Sequence, residues 1–288
     1  MKLQDFFSIT RIPFAFTQTL FVILGFLHAG GRDYFALLLA VLALGPSFLY
    51  GGVYILNDVA DKQFDLQHPK KRGRVIASGK ISVKTALLLS AFLIAVGLAV
   101  AVYIGASFAL VSLSVLLNNL LYACGPRLKD KLYFGLLSCS LNYPLRFLAG
   151  GVAADTGKIA VMPAVLFFFI ALNGFSAYRI YDKKSMASEQ KSKEDKNLAV
   201  IIKITALAIA LIALVLGFEK TPLAAVFLAG YSLVFSEVNL RVVSQGIDFF
   251  QLMRVHKTMK KDPGLLYYPA MFLAYTALVV YVLVGNAS

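Results

Sequence analysis

Long apolar runs, separated by short polar segments, dominate the pattern of this chain. Nine stretches of about 20 residues are apolar, and in most of them apolar residues cover every helical face. They lie at residues 13–30, 35–57, 82–104, 106–124, 134–153, 159–177, 198–217, 221–240 and 265–285. Apolar helices of this length cross a bilayer, so the pattern predicts an all-α integral membrane protein with nine transmembrane helices. No polar stretch is long enough for a soluble domain, which favours a single domain over residues 1–288.

The composition excludes an ordinary soluble protein. The chain is 59% hydrophobic, whereas soluble domains contain roughly 45–50% apolar residues. Cys124 and Cys139 lie in or near predicted spans without metal-ligand or redox spacing, so we interpret them as packing residues. The three histidines are scattered and form no zinc or triad pattern.

The distribution of basic residues predicts the orientation. With a cytoplasmic N-terminus, nearly all of the 28 Lys and Arg residues belong to the cytoplasmic side; the exceptions are Arg32, Arg146, Lys158 and Lys220. The positive-inside rule therefore predicts that the N-terminus and the long polar loops lie in the cytoplasm. We expect the membrane to be the plasma membrane. The net charge of +13 follows from this rule and from anionic headgroups. The basic residues are spread over four loops and lack a recognition motif, so nucleic acid is not a predicted partner.

Three aspartates follow the second predicted span. On a helix, Asp58, Asp61 and Asp65 lie at roughly 0°, −60° and −20°, which places them on one face with Asn57 beside it. Three carboxylates so close repel one another unless a cation lies among them. Oxygen ligands that leave room for phosphate suit Mg²⁺. The spacing predicts that the three aspartates are metal ligands; the alternative is a solvated loop of mixed charge.

A basic run comes directly after the aspartates. It contains His68, Lys71, Arg72 and Arg74, which are suited to binding phosphate groups. Further along, Ser82 is placed to cap the third predicted helix.

Other charged residues lie at predicted helix ends or inside a span. Arg127 and Lys129 follow a helix that ends at Gly125-Pro126; they either bind substrate or interact with the helix dipole. Arg179 and Asp182 share a helical face and either pair with each other or serve the site. Arg146 lies within an apolar span and should face the bundle interior, with a phosphate or a loop carboxylate as its partner.

Two polar segments have compositions of their own. Residues 183–196 are rich in Lys, Glu and Ser, which predicts a mobile lid or a helical extension. Residues 241–264 alternate apolar and basic side chains, which is typical of a helix lying in the membrane interface.

The nine helices, the Asn57-Asp58-x-x-Asp61-x-x-x-Asp65 motif and a second charged motif after span 6 resemble the UbiA superfamily of intramembrane prenyltransferases. The Tyr122-to-Lys129 segment is also similar to a helix end in that family. The resemblance implies that aspartate-rich motifs bind Mg²⁺ and the diphosphate of a polyprenyl donor. An allylic cation then forms and is captured by an acceptor. Together with the charge patterns above, it predicts catalytic roles for Asp58, Asp61, Asp65 and Asp182. Substrate-binding roles are predicted for Asn57, His68, Lys71, Arg72, Arg74, Arg127, Lys129, Arg146 and Arg179.

The second motif departs from the commoner family pattern of two aspartates four residues apart. Arg179-x-x-Asp182 and the run from His68 to Gly79 are more similar to the decaprenyl-phosphate phosphoribosyltransferase branch. However, the chain lacks that branch's Arg-Pro-x-Gln-Trp-x-Lys-Asn motif, contains no Trp, and has Val75 where most relatives have Pro. Prenyl transfer and phosphoribosyl transfer to a polyprenyl phosphate both remain open.

The leading hypothesis is a Mg²⁺-dependent membrane transferase acting on a polyprenyl phosphate or diphosphate, with a pyrophosphate-bearing co-substrate or a small acceptor. A catalytically inactive scaffold is one rival. A secondary transporter is another, but transporters place their coupling charges near the bilayer midplane, whereas these carboxylates lie at a predicted membrane surface.

Overall fold

The computed structural model describes residues 3–11, 15–45, 47–68, 71–185, 191–218, 220–244 and 267–285. Regular structure within these ranges is entirely helical, which confirms the predicted all-α class. The chain divides into two compact units, Met1–Val161 and Met162–Ser288. A single domain over residues 1–288 stays a prediction.

The described helices are named in chain order. The first unit contains α1 (Leu3–Thr10), α2 (Ala15–His28), α3 (Tyr34–Leu44), α4 (Leu49–Ala60), α5 (Lys62–Gln67), α6 (Val83–Ile104), α7 (Ala106–Ala123) and α8 (Leu132–Ala153), with a short 3-10 helix at Leu128–Asp130. The second unit contains α9 (Val161–Ser185), which begins at the boundary, followed by α10 (Lys191–Gly217), α11 (Pro222–Ser244) and α12 (Tyr267–Gly285).

Six helical segments of the described chain are long and apolar enough to cross a membrane, and each matches a predicted span. They are Tyr34–Ala60, Val83–Ile104, Ala106–Ala123, Val161–Ile180, Glu194–Gly217 and Pro222–Leu240. Shorter apolar helices, Thr19–His28 and Leu273–Leu283, lie in the first and last predicted spans. The span predicted at 134–153 is α8, which carries the buried polar residues Asn142 and Arg146. The count of nine spans and the cytoplasmic N-terminus stay predictions.

The span predicted at 35–57 consists of two helices. α3 ends at Leu44 and α4 begins at Leu49. Gly45 is extended, with φ −69° and ψ −179°, because the residue before a proline is disfavoured in the helical conformation. The apolar pattern continues across this point, so it did not reveal the break.

The helices α6 and α7 begin and end within one residue of the predicted spans 82–104 and 106–124. The Ser82 side chain accepts a hydrogen bond from the Thr85 backbone N–H at 3.1 Å, which confirms the predicted cap. Gly105 separates the two helices with a φ of 152°.

Glycines allow α2 and α8 to pack closely. A Cβ at Gly25 would overlap the backbone oxygen of Phe147, and one at Gly150 would overlap that of Val22. Small residues permit such close backbone approach between membrane helices. This contact fixes α8, and with it Arg146, within the first unit.

The segment between α5 and α6 is anchored in the core. Ile76 is only 1% exposed and belongs to a buried cluster with Ile9 on α1 and Ile55 on α4. Arg74 lies two residues before Ile76, so the anchor positions Arg74 relative to α4.

Buried polar contacts join three helices of the second unit. The side-chain nitrogen of Asn173 on α9 lies 2.8 Å from the Ile202 backbone oxygen and 2.9 Å from Thr205 Oγ1, both on α10. It also lies 3.2 Å from Ser236 Oγ on α11. Buried amide donors require such partners, so these contacts fix the helices against one another.

The charged segment at 183–196 is helical where it is described, since α9 continues to Ser185 and α10 begins at Lys191. Residues 186–190 are outside the described ranges. Of the interfacial helix predicted at 241–264, only residues 241–244, at the end of α11, are described.

Candidate active site

The predicted carboxylates lie where α4 meets α5. α4 ends at Ala60, α5 begins at Lys62, and Asp61 lies between them with φ −93° and ψ 0°. The sequence predicts one face for all three carboxylates. In the structure their partners divide them into two groups, because cations approach them from two different segments of the chain.

The first group contains two buried carboxylates. Asp58 and Asp65 are 7% and 3% exposed. Arg74 Nη1 donates to both, at 3.2 Å to Asp58 Oδ1 and 2.9 Å to Asp65 Oδ2. Arg11 Nη2 donates to the same Asp58 oxygen at 3.0 Å. Burial of a carboxylate costs several kcal/mol, and the two guanidinium groups compensate for this cost.

The second group forms around Asp61. Its Oδ1 accepts hydrogen bonds from Lys129 Nζ at 2.6 Å and from Arg127 Nη2 at 3.2 Å. Lys129 Nζ also donates to Asn57 Oδ1 at 2.9 Å. The segment before α8 is thereby bound to the end of α4.

Arg127 has an unusual backbone conformation, with φ 45° and ψ 60°, which residues other than glycine seldom adopt. Its Nε donates to Asp130 Oδ2 at 2.7 Å, and its Nη1 donates to the Ala60 backbone oxygen at 3.3 Å. The hydrogen bond to Asp130 is the main cause that raises the pKa of Arg127. The guanidinium also lies 5.0 Å from the centre of the Phe64 ring.

The remaining basic run lies nearer the surface. Lys71 and Arg72 are exposed and His68 is half-buried. The backbone N–H groups of Lys71 and Arg72 donate to the His68 carbonyl at 3.1 and 3.0 Å, forming a turn. Arg74 therefore reaches the buried carboxylates, while Lys71 and Arg72 face the surroundings.

Arg146 is buried as predicted, with 4% exposure. Its guanidinium carbon lies 4.2 Å from the ring centre of Tyr50 and 5.5 Å from that of Tyr143. Its Nε has no hydrogen-bond partner among the described residues. The sequence suggested a phosphate or a loop carboxylate as its partner, whereas its described contacts are tyrosine rings.

The second charged motif belongs to the second unit. Arg179 and Asp182 lie near the C-terminal end of α9, about one turn apart. Arg179 is half-buried, and the side chain of Asp182 is outside the described part. Their roles stay predictions.

The carboxylate oxygens of the first group are suitable ligands for Mg²⁺, which is commonly held by one or two carboxylates together with substrate phosphates. Asp58 and Asp65 are bridged by a single cationic group, so a shared cation position exists between them. Among the described residues, no group of three His, Cys, Asp or Glu side chains is placed to hold a metal ion. This result agrees with the pairing of Asp61 to Lys129 and Arg127 instead.

Three contributors were missed from the sequence as site residues: Arg11, Tyr54 and Asp130. Arg11 was counted only as a basic residue for orientation, yet it lies 4.6 Å from the Tyr54 ring centre and pairs with Asp58. Arg11 comes just before the first apolar span, on the side of the membrane where Asp58 is also predicted to lie. This position was the signal available in the sequence. For Asp130 the signal was its position three residues after Arg127.

The model of the UbiA prenyltransferase family matches residues 19–250. The chain belongs to this family. It is therefore a transferase with a multi-span membrane fold.

Curated UbiA relatives match over different shares of the chain. Digeranylgeranylglyceryl phosphate synthase of Saccharolobus solfataricus is 27% identical over 76% of this chain and 80% of its own. Decaprenyl-phosphate phosphoribosyltransferase of Mycolicibacterium smegmatis is 33% identical over 36% of this chain. That match covers 32% of the mycobacterial enzyme, and a match to nodulation protein NoeC of Azorhizobium caulinodans covers 33% of NoeC.

Solved structures share the fold across nearly the whole chain. A digeranylgeranylglyceryl phosphate synthase structure has a TM-score of 0.71 and 18% identity, covering 99% of this chain and 98% of that one. A UbiA homologue from Archaeoglobus fulgidus, bound to GPP and Mg²⁺, has a TM-score of 0.66 and 15% identity, with 97% and 99% covered.

Proposed function

We propose that this UbiA family member transfers a prenyl group from a prenyl diphosphate to an acceptor. The observation that carries the proposal is the buried Asp58–Arg74–Asp65 arrangement at the end of a membrane helix. Buried carboxylates paired with cations are costly to maintain for stability alone, and this arrangement suits a metal-bound diphosphate. The A. fulgidus homologue bound to GPP and Mg²⁺ supports the same assignment by analogy.

Mg²⁺ would be held by Asp58 and Asp65, with Asp61 as the third candidate ligand. When bound, it neutralises charge on the leaving diphosphate. Arg74, Lys71 and Arg72 supply positive charge for the phosphate oxygens.

In the proposed reaction, the bond between the prenyl C1 atom and the diphosphate oxygen breaks, and its electrons leave with the diphosphate. The acceptor nucleophile bonds to the allylic carbon and loses a proton. Lys129 orients Asp61 and is itself positioned by Asn57. Arg127 connects the segment before α8 to this region. We assign His68, Arg146 and Arg179 to substrate binding. For Asp182, in the second motif, two roles stay predictions: a ligand of a second metal ion, or a base that orients the acceptor.

We further propose nine spans, a cytoplasmic N-terminus and a plasma-membrane location. The concentration of basic residues in the loops supports this orientation.

The test is prenyl transfer by purified protein with Mg²⁺, geranyl diphosphate and a panel of aromatic and glyceryl-phosphate acceptors. Asp58→Asn keeps the side-chain shape and removes the charge; we expect kcat to fall by about 10²–10³-fold. Asp33→Asn is the matched control, because Asp33 caps α3 away from the site and Asn is an equally good cap. Equal activity of wild type and Asp58→Asn would refute the assignment.

Phosphoribosyl transfer to a polyprenyl phosphate is the second candidate. It is favoured by the exposed Lys71 and Arg72 of the basic run and by the partial match to the mycobacterial enzyme. A parallel reaction with decaprenyl phosphate and labelled phosphoribosyl pyrophosphate distinguishes the two. Label that enters the lipid phase with wild type, but not with Asp58→Asn, establishes this second reaction.

A further inference from the structure

We propose that Arg146 binds an anionic group on the acceptor substrate, at a position deeper in the first unit than the carboxylates. The inference rests on the proposed transferase function and adds the charge class of the acceptor.

The first argument is the incomplete pairing of a buried charge. Arg146 is 4% exposed within an apolar helix, where an arginine is costly unless it faces a partner. Its described contacts include the rings of Tyr50 and Tyr143, and its Nε has no hydrogen-bond partner within the described part of the chain. Buried donors are nearly always paired, so the unused N–H indicates a partner that arrives with a ligand.

The second argument is position. Tyr50, Tyr54 and Asp58 are four residues apart and share one face of α4, and the ring centres of Tyr50 and Tyr54 are 5.9 Å apart. Arg146 stacks on Tyr50, eight residues before Asp58, which corresponds to about 12 Å along the helix. An acceptor with a nucleophile at one end and an anion at the other can span these two positions.

The third argument is rigidity. The Tyr50 hydroxyl donates to Asn142 Oδ1 at 2.9 Å, and the Asn119 side-chain nitrogen donates to the same oxygen at 2.7 Å. These buried bonds fix the Tyr50 ring beneath Arg146. A guanidinium held in this way is organised for an oxyanion before the ligand binds.

Two kinds of acceptor carry the required group, an aromatic carboxylate and a lipid phosphate. Two pairs of compounds distinguish them: 4-hydroxybenzoate and its methyl ester, and a prenylglyceryl phosphate and the matching prenylglycerol. Both pairs are tested with geranyl diphosphate as the donor.

Kinetics give the first measurement. For the charged member of the responding pair, Arg146→Met should raise the KM of the acceptor by about 10- to 100-fold, as expected for loss of a charge-assisted hydrogen bond. The KM of the diphosphate donor should change less than about threefold, because Arg146 has no described contact with Asp58, Asp65 or Arg74. Ser112→Ala is the control, since it removes another buried polar atom that has no hydrogen-bond partner among the residues described.

Ligand-induced stabilisation gives a second measurement that requires no turnover. The charged member of the pair should raise the melting temperature of wild type more than its neutral analogue does, and Arg146→Met should lose the difference. The wild-type comparison stands even when Arg146→Met does not fold.

Equal effects of the charged and neutral members in both pairs overturn the inference, as does an equal rise in donor and acceptor KM. Failure of the proposed function looks different: wild type then transfers no prenyl group from geranyl diphosphate.

Discussion

At the scale of single residues, Asp58 and Asp65 share the guanidinium of Arg74 inside the first unit. Two buried carboxylates side by side repel each other, and their desolvation adds to that cost. Arg11 offsets part of the charge of Asp58. Among the described residues, Asp58 pairs with two guanidinium groups and Asp65 pairs with that of Arg74, so Asp65 depends on Arg74 more strongly.

Arg74→Ala should lower the free energy of unfolding by on the order of 2 kcal/mol. Removing one partner of a fully buried ion pair costs about 3–5 kcal/mol. The smaller value applies here because the Arg74 side chain is 32% exposed. Thermal melting in detergent measures the change. Adding Asp65→Asn to Arg74→Ala should recover part of the loss, since it removes the uncompensated charge. Arg72→Ala, at an exposed neighbouring position, is the control, and a loss as large as that of Arg74→Ala would contradict the expectation.

At the scale of helices, the α2–α8 contact decides where Arg146 lies. The backbones approach so closely at Gly25 and Gly150 that a methyl group at either position would meet a carbonyl oxygen. Gly151, the next residue, has room: its nearest neighbour to an added Cβ is the Gly25 oxygen at 3.9 Å.

Gly150→Ala should therefore destabilise the protein by about 1–3 kcal/mol through overpacking and reduce transferase activity by shifting α8. Gly151→Ala adds the same methyl group one residue away and should leave both quantities nearly unchanged. Melting curves and initial rates for the two variants provide the comparison; indistinguishable variants would show that the close packing is unimportant.

Helix ends can be predicted from the sequence, whereas contacts between helices cannot. Ser82 and Gly105 are local signals, so the bounds of α6 and α7 were predicted to within one residue. The division of 35–57 was missed because apolar residues continue on both sides of Gly45-Pro46. The motif from Asn57 to Asp65 located the site, but the pairing of Asp61 with Arg127 and Lys129 joins residues 66 and 68 positions apart. No local spacing encodes such a pairing, which depends on how α7 and α8 pack beside α4.

At the scale of the whole molecule, membrane orientation decides which compartment supplies the substrates. Lys71 follows the three carboxylates along the chain and Arg32 precedes α3, and both are exposed. With one span between these segments and the predicted orientation, they lie on opposite sides of the membrane.

Single cysteines at these two positions test the orientation, in a background where Cys124 and Cys139 are alanine. A membrane-impermeant maleimide should label Arg32→Cys in intact cells and Lys71→Cys only after permeabilisation. The reversed pattern would place the carboxylates outside the cytoplasm.

The ion pairs around the carboxylates affect the form in which a diphosphate can enter the site. Four acidic side chains, Asp58, Asp61, Asp65 and Asp130, are matched by four basic ones, Arg11, Arg74, Arg127 and Lys129. Within these described ion pairs the charges are close to balanced, so only residues outside the pairs, such as the exposed Lys71 and Arg72, add positive charge for a bare diphosphate. A diphosphate that arrives with its own divalent counter-ion disturbs this balance least, so the complex, rather than the free anion, is the species that the site is built to admit.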